Sequence, residues 1–178
     1  STVDLRLVSG PVAVHADMMM WHPQESAEQV AVQLVSTLFA VPQISVDLAA
    51  QTAEQRATLA FWLGFVREHA DVLQGGVFEP ERPDLGYPVI RAYDGETVIA
   101  GVYAPIAVRV PPGEWRQMYV ANADSAGLVM LMSDGVGEAT ATVLDCQGRA
   151  VGEQRVNLGL GVHTLAVPTG GLLRLDRR

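Results

Sequence analysis

The sequence predicts an α+β protein: a helical N-terminal segment followed by an antiparallel β-sandwich. Three observations carry that expectation. Two Ser/Thr-x-x-Gln capping boxes, at Ser26 and Thr52, each open an apolar run at helical spacing. From Tyr87 onward, short apolar runs alternate with turn residues roughly every 8–12 positions, the rhythm of a sandwich. Between the two regions, residues 77–86 hold two prolines and no periodicity, as a linker does. The expected organisation is therefore a helical part over residues 1–76, a linker over 77–86 and a sandwich over 87–178.

Leu5 and Leu7 alternate with Arg6 and read as a short strand, with Ser9-Gly10-Pro11 as its turn. Val12, Ala13 and Val14 begin a second apolar run, which reaches Trp21 and stops at Pro23. Ser26 and Gln29 then cap a helix expected to reach Ala40, with Val30, Leu34, Val35 and Leu38 on its buried stripe. Val41-Pro42 ends it, and Gln43 to Val46 read as a short connection. Thr52 and Gln55 open the longest helix, marked by Leu59, Trp62, Leu63, Val66 and Leu73 and stopped at a left-handed Gly75-Gly76. Gly64 lies inside this helix, where close backbone packing is the expected reason for it. The strands that follow are Val98–Tyr103, Ala107–Val110, Gln117–Ala121, Leu128–Met132, Ala139–Leu144, Ala150–Leu158, His163–Val167 and Leu172–Leu175. Asp94-Gly95, Ser133-Asp134-Gly135 and Gln147-Gly148 read as hairpin tips.

Composition excludes several classes of function. With 178 residues, 49% hydrophobic and only 18% charged, the chain can bury a core and is not disordered. Its net charge is −8, its twelve basic residues are all arginine, and neither half carries a basic patch, so nucleic acid is not the expected partner. Cys146 is the single cysteine and cannot form an intrachain disulfide, and no His/Cys group has zinc spacing. No apolar stretch is long enough for a membrane helix. No secretory signal is visible, so the expected compartment is the cytoplasm. No motif calls for a cofactor. The chain opens on Ser1-Thr2-Val3 rather than methionine, and Val3 to Val8 reads as mid-strand, which leads us to expect a piece of a longer protein.

The densest group of reactive and aromatic side chains is His15, Asp17, Trp21 and His22. His15 and Asp17 are two apart on a strand and so share a face. They are either a structural hydrogen-bonded pair under a packed tryptophan or ligand-contacting groups. A Ser/His/Asp set can be assembled from Ser45, His69 and Asp71, but His69 near a helix end has a structural explanation. Gly159-Leu160-Gly161 lacks the strand–loop–helix setting of a phosphate loop. Cys146 reads as a small core or edge residue. Of the tryptophans Trp21, Trp62 and Trp115, Trp21 and Trp115 are the ones placed to stack on a sugar face.

Three stretches resemble the late part of bacterial α-galactosidases, the melibiase-like enzymes of glycoside hydrolase family 36. They are Val14-His15-Ala16-Asp17-Met18-Met19-Met20-Trp21-His22-Pro23, the run from Gln33 to Val46, and the run from Phe61 to Leu73. The family usually has serine at the place of Ala16. The resemblance spans about residues 4–104 by motif and rests on domain order beyond that.

It implies that Val12–Trp21 is the last strand of a (β/α)8 barrel, that the two capped helices close the barrel, and that residues 87–178 are the C-terminal sandwich. It also implies a retaining glycosidase whose nucleophile and acid/base carboxylates lie on earlier strands, so no catalytic residue is assigned in this chain. His15, Asp17 and Trp21 would sit at the catalytic face as supporting or substrate-binding groups. The implied partners are the rest of the barrel and an α-galactoside. The helices' apolar faces must then fold over the sandwich or pair with a second copy. Two other readings are a free-standing carbohydrate-binding module and a structural interaction domain.

Overall fold

The computed structural model describes residues 2–10 and 12–178; Ser1, and Pro11 of the expected first turn, lie outside the described residues. It confirms an α+β chain, with four α-helices and mostly strands. The first element differs from expectation. Thr2–Ser9 is a helix, α1, because three alternating residues are too few to impose a strand. It is also inverted: Leu5, Leu7 and Val8 face outward while Arg6 is buried. The Arg6 guanidinium lies 4.1 Å over the Phe78 ring and donates to the carbonyl of Phe39.

Strand β1 (His15–Met19) leads into α2 (Ala27–Ser36) and then β2 (Val41–Ile44), which pairs with β1 in parallel. The first half of the segment read as a connection, Gln43 and Ile44, is thus strand. The Ser26 capping box forms as expected, with Gln29 N donating to Ser26 Oγ at 3.1 Å and Ser26 N to Gln29 Oε1 at 2.9 Å. Thr52 and Gln55 cap α3 (Ala53–Glu68) in the same way. The expected long helix breaks at His69 and resumes as α4 (Ala70–Gly75). Gly76 is extended rather than left-handed. A Cβ there would meet Val72 O at 2.5 Å and Tyr93 O at 2.8 Å.

The remaining strands are β3 (Val77–Glu81), β4 (Val89–Tyr93), β5 (Thr97–Val102), β6 (Val108–Arg109), β7 (Gln117–Asn122), β8 (Leu128–Leu144), β9 (Ala150–Ala166) and β10 (Leu172–Asp176). Residues 77–81, placed in the linker, are the strand that borders β4. The expected antiparallel sandwich is instead one curled, mixed eight-stranded sheet in the order β3-β4-β5-β7-β10-β8-β6, with β9 also on β8. Two pairings, β5 with β7 and β6 with β8, are parallel. Asp94-Gly95 and Gln147-Gly148 form the expected tips, with Asp94 and Asp145 accepting from backbone N–H groups across each turn. Ser133-Asp134-Gly135 is not a tip. It lies within the 17-residue β8, where the register with β9 shifts between Asp134 and Gly137. A bulge with left-handed glycines carries the same residue signature as a hairpin turn.

Two cores lie on opposite faces of this sheet. Ile90, Ala92, Ile99, Tyr119, Ala121 and Leu172 pack with Val30, Leu34, Leu38, Leu59, Trp62 and Leu73 of the helical part. Their strand neighbours Val89, Val98, Ala100, Met118, Val120 and Leu173 face the other way, against Leu131, Ala141, Leu158 and Leu165. The helices therefore do fold over the sheet. Gly170 marks how tightly. It has φ +74°, and a Cβ there would lie 2.8 Å from Ala31 Cβ and 3.1 Å from Glu28 O on α2. Gly64 is the reverse case, exposed and with nothing within 4 Å of the position a Cβ would take. Close packing does not explain it. Gly170→Ala is expected to lower unfolding free energy by at least about 2 kcal/mol. Gly64→Ala is expected to raise it by about 1 kcal/mol. Urea denaturation of the two variants checks both signs.

Candidate functional site

β1 is short, and its first residue is His15. Pairing with β2 runs from the Val14 carbonyl, which accepts from Val41 N, to the Met19 carbonyl, which accepts from Ser45 N. His15 opposes Val41 and Met18 opposes Gln43, so one extra residue is accommodated at Ala16-Asp17. Ala16 and Met19 are buried, while His15, Asp17 and Met18 are exposed, the alternation being interrupted at the extra residue. His15 lies at the amino end of the strand and Asp17 in its middle. His15 Nδ1 is 3.4 Å from Gln43 Nε2 on β2, so the ring's neighbour is an amide rather than the Asp17 carboxylate.

Trp21 and His22 lie beyond the carboxyl end of β1 and are held by buried glutamines. Trp21 is 7% exposed, and its Nε1 donates to Gln51 Oε1 at 2.5 Å. Gln51 Nε2 in turn donates to Asp47 O at 3.2 Å. Gln55, 1% exposed, reaches from the first turn of α3 to three carbonyls, His22, Pro23 and Glu25, at 3.2, 3.2 and 2.9 Å. His22 Nδ1 accepts from Gln24 N at 3.1 Å. The tryptophan and the loop after it thus depend on a buried amide network, which fixes where the β1 end lies relative to α3. Gln51 and Gln55 were missed as members of the site. Gln55 was visible only as a capping residue, because the carbonyls it serves lie 30 to 33 residues away.

The other candidates are dispersed. His69 packs between Phe65 and Tyr119, at ring-centroid distances of 4.5 and 4.7 Å, and serves as the joint of α3 and α4. Burial pushes its imidazole below the ordinary histidine range, opposed by the charge of Glu68. Ser45 is at the end of β2, where its N–H belongs to the pairing with β1. Gly159 to Gly161 lie within β9. Cys146 is buried beside Thr58, and burial pushes its thiol upward. Trp115 is 4% exposed, with the Arg177 guanidinium 4.7 Å over its ring. Neither Trp21 nor Trp115 offers a free ring face for stacking. Among the described residues no group of three His, Cys, Asp or Glu could hold a metal ion, and no helix is long and apolar enough to cross a membrane.

The fold and site thus define the class as an α+β protein with a small parallel βαβ unit docked on a curled mixed sheet. No protein-family model matches the chain, and no curated protein matches its sequence.

Two expected outcomes follow. The exposed pair is not structural, so His15→Ala and Asp17→Ala should each change stability by less than about 0.5 kcal/mol, whereas Gln55→Leu should cost about 2 kcal/mol by stranding three carbonyls. Chemical denaturation of the three variants measures this. His69 binds its proton more weakly folded than unfolded. Its contribution is therefore fully present above the unfolded value of about 6.5 and is lost as pH falls through it. The melting temperature of the parent chain should fall more between pH 7.5 and pH 5 than that of His69→Phe.

Proposed function

We propose that this chain is the C-terminal portion of an α-galactosidase-like retaining glycosidase, with the curled sheet stabilising the end of the catalytic barrel and no catalysis by the chain alone. One observation carries the reading: β1, α2 and β2 form a parallel βαβ unit, and among the described residues no further strand pairs with either. Parallel sheets are covered on both faces and built from many such units, and a pair standing alone is not a stable solution. Met18 and Met20 are exposed at this pair, as are Val12 before it and Leu5 and Val8 on the inverted α1. In this reading they face the remaining barrel strands and helices. The motif resemblance supplies the substrate class, an α-galactoside.

Asp17, exposed in mid-strand, is the best placed of the three residues to face the sugar. His15 lies behind it along the strand, and Trp21 holds the strand end through Gln51. The buried rings of Trp21 and Trp115 count against a binding module built on an exposed aromatic array.

Expression from the natural start of the encoding gene tests the proposal. The longer product should contain further β/α units and hydrolyse an aryl α-galactoside with retention, while the 178-residue chain shows no turnover. In the longer product, Asp17→Ala should lower kcat/KM by about tenfold or more. A reading frame that adds no further chain, turnover by the 178-residue chain, or a longer product without turnover overturns it.

A further inference from the structure

A cleft of about 410 Å³ opens between β3 and β4 on one side and the loop that follows β6 on the other. That volume lies within the range of small-molecule sites. Its polar wall is built around Glu79, whose carboxylate is held from two directions. Tyr93 Oη donates to Oε1 at 3.2 Å, and Arg91 Nη2 donates to Oε2 at 3.1 Å. The charge of Glu79 keeps the Tyr93 hydroxyl above its ordinary pKa, so it remains a donor.

The Arg91 side chain is 11% exposed and lies 2.8 Å from a second carboxylate, Glu81. Its Nη1 donates to the carbonyl of Arg109 at 3.1 Å, which ties the opposite wall to the sheet. Both Nη groups of Arg91 are therefore engaged and its Nε is buried without a partner, whereas Glu79, with its side chain 42% exposed, keeps unused lone pairs in a fixed orientation.

The far wall carries Arg109 and Glu114, both exposed, together with Pro111 and Pro112; Arg109 Nη2 lies 3.5 Å from Asp134 Oδ2, and its side chain stays 58% exposed. The charges that line the cleft balance, two carboxylates against two guanidinium groups. An anion would meet an arginine already neutralised twice, and a cation would meet Arg109. A neutral ligand rich in hydroxyl groups gains from both walls, since each hydroxyl can donate to Glu79 and accept from Arg109. Pro111 and Pro112 offer an apolar surface to its C–H groups.

We propose that this cleft binds a neutral, polyhydroxylated ligand of monosaccharide size, with Glu79 and Arg109 as its polar contacts and Pro111-Pro112 as its apolar wall. The site does not rest on the glycosidase reading, since all its residues lie in the curled sheet and its loops. It is an open cleft and needs no exposed aromatic face.

The test is an NMR titration of the ¹⁵N-labelled 178-residue chain with D-galactose, D-glucose and myo-inositol, and separately with inorganic phosphate and an arginine ester. At least one polyol should give saturable amide shifts confined to Tyr93, Gly95, Glu114 and their neighbours, with Kd on the order of 1–10 mM. Glu79→Gln, which keeps shape and removes charge, should weaken binding about tenfold. Arg109→Gln, at an exposed position on the other wall, should do the same without touching the Glu79–Arg91 pair. The proposal is overturned if no polyol saturates, if both folded variants bind as the parent does, or if only phosphate or the arginine ester shifts these amides. Each result is independent of whether the longer gene product hydrolyses α-galactosides.

Discussion

Everything else in the structure depends on the double burial of the central strands β5, β7 and β10. Along β5, Val98, Ala100 and Val102 face one core while Ile99 faces the other. The same alternation divides Met118 and Val120 from Tyr119 and Ala121 on β7, and Leu173 and Leu175 from Leu172 on β10. A strand with apolar residues on both faces cannot leave either face to water without exposing a large patch. One face is closed by the sheet curling so that β8 and β9 fold over it. The other is closed by α2 and α3. The helical part is therefore a wall of the sheet's own core and not a separate appendage.

That interface also sets how precisely the helices are held. Tyr103, just beyond β5, donates its hydroxyl to the Val35 carbonyl on α2 at 2.8 Å, and burial pushes its pKa far upward. The tip of the β8–β9 hairpin presses on α3 at Phe61, where a Cβ on Gly148 would lie 2.2 Å from the ring. α3 in turn carries Gln55 and, one turn before its start, Gln51, which hold Trp21 and the loop after β1. The position of the β1 end is thus transmitted from the sheet through two helices by contacts that leave little slack.

What the sequence made legible divides by range. Both capping boxes and the turns at Asp94 and Asp145 were readable, because each is completed within four residues. The periodicity that assigned His15 and Asp17 to one face is interrupted by the extra residue at Ala16-Asp17, which pairing with β2 sets and spacing does not show. The parallel pairings of β5 with β7 and β6 with β8 were not readable, since the partners are set by the curl of the whole sheet. Glycines at 135 and 137 broke one long strand into two apparent ones, because the residues that favour a bulge also favour a turn. β2 was hidden by Pro42, which signals a helix stop and is compatible with a short strand only where its missing N–H is not needed. The roles of Gln51 and Gln55 were out of reach for the same reason as the pairings: their partners lie a full helix away. The cleft at Glu79 was missed because its residues lie on four strands and the loops between them and have no spacing in common.

The edges of the two sheets are guarded by related devices. The eight-stranded sheet protects its borders. β3 carries Pro80, which offers no N–H to a neighbour, and β9 carries exposed Glu153 and Arg155 and is bent by its register shift with β8. These are the devices by which an edge strand avoids pairing with another chain. β1 shows two of the same devices, a register shift at Ala16-Asp17 and the exposed polar side chains of His15 and Asp17, although Met18 and Met20 also stand in the open. What distinguishes the small sheet is its size. Its buried side joins, through Met19, the core that α2 and α3 share with the large sheet, so among the described residues the parallel pair is held by helices rather than by further strands.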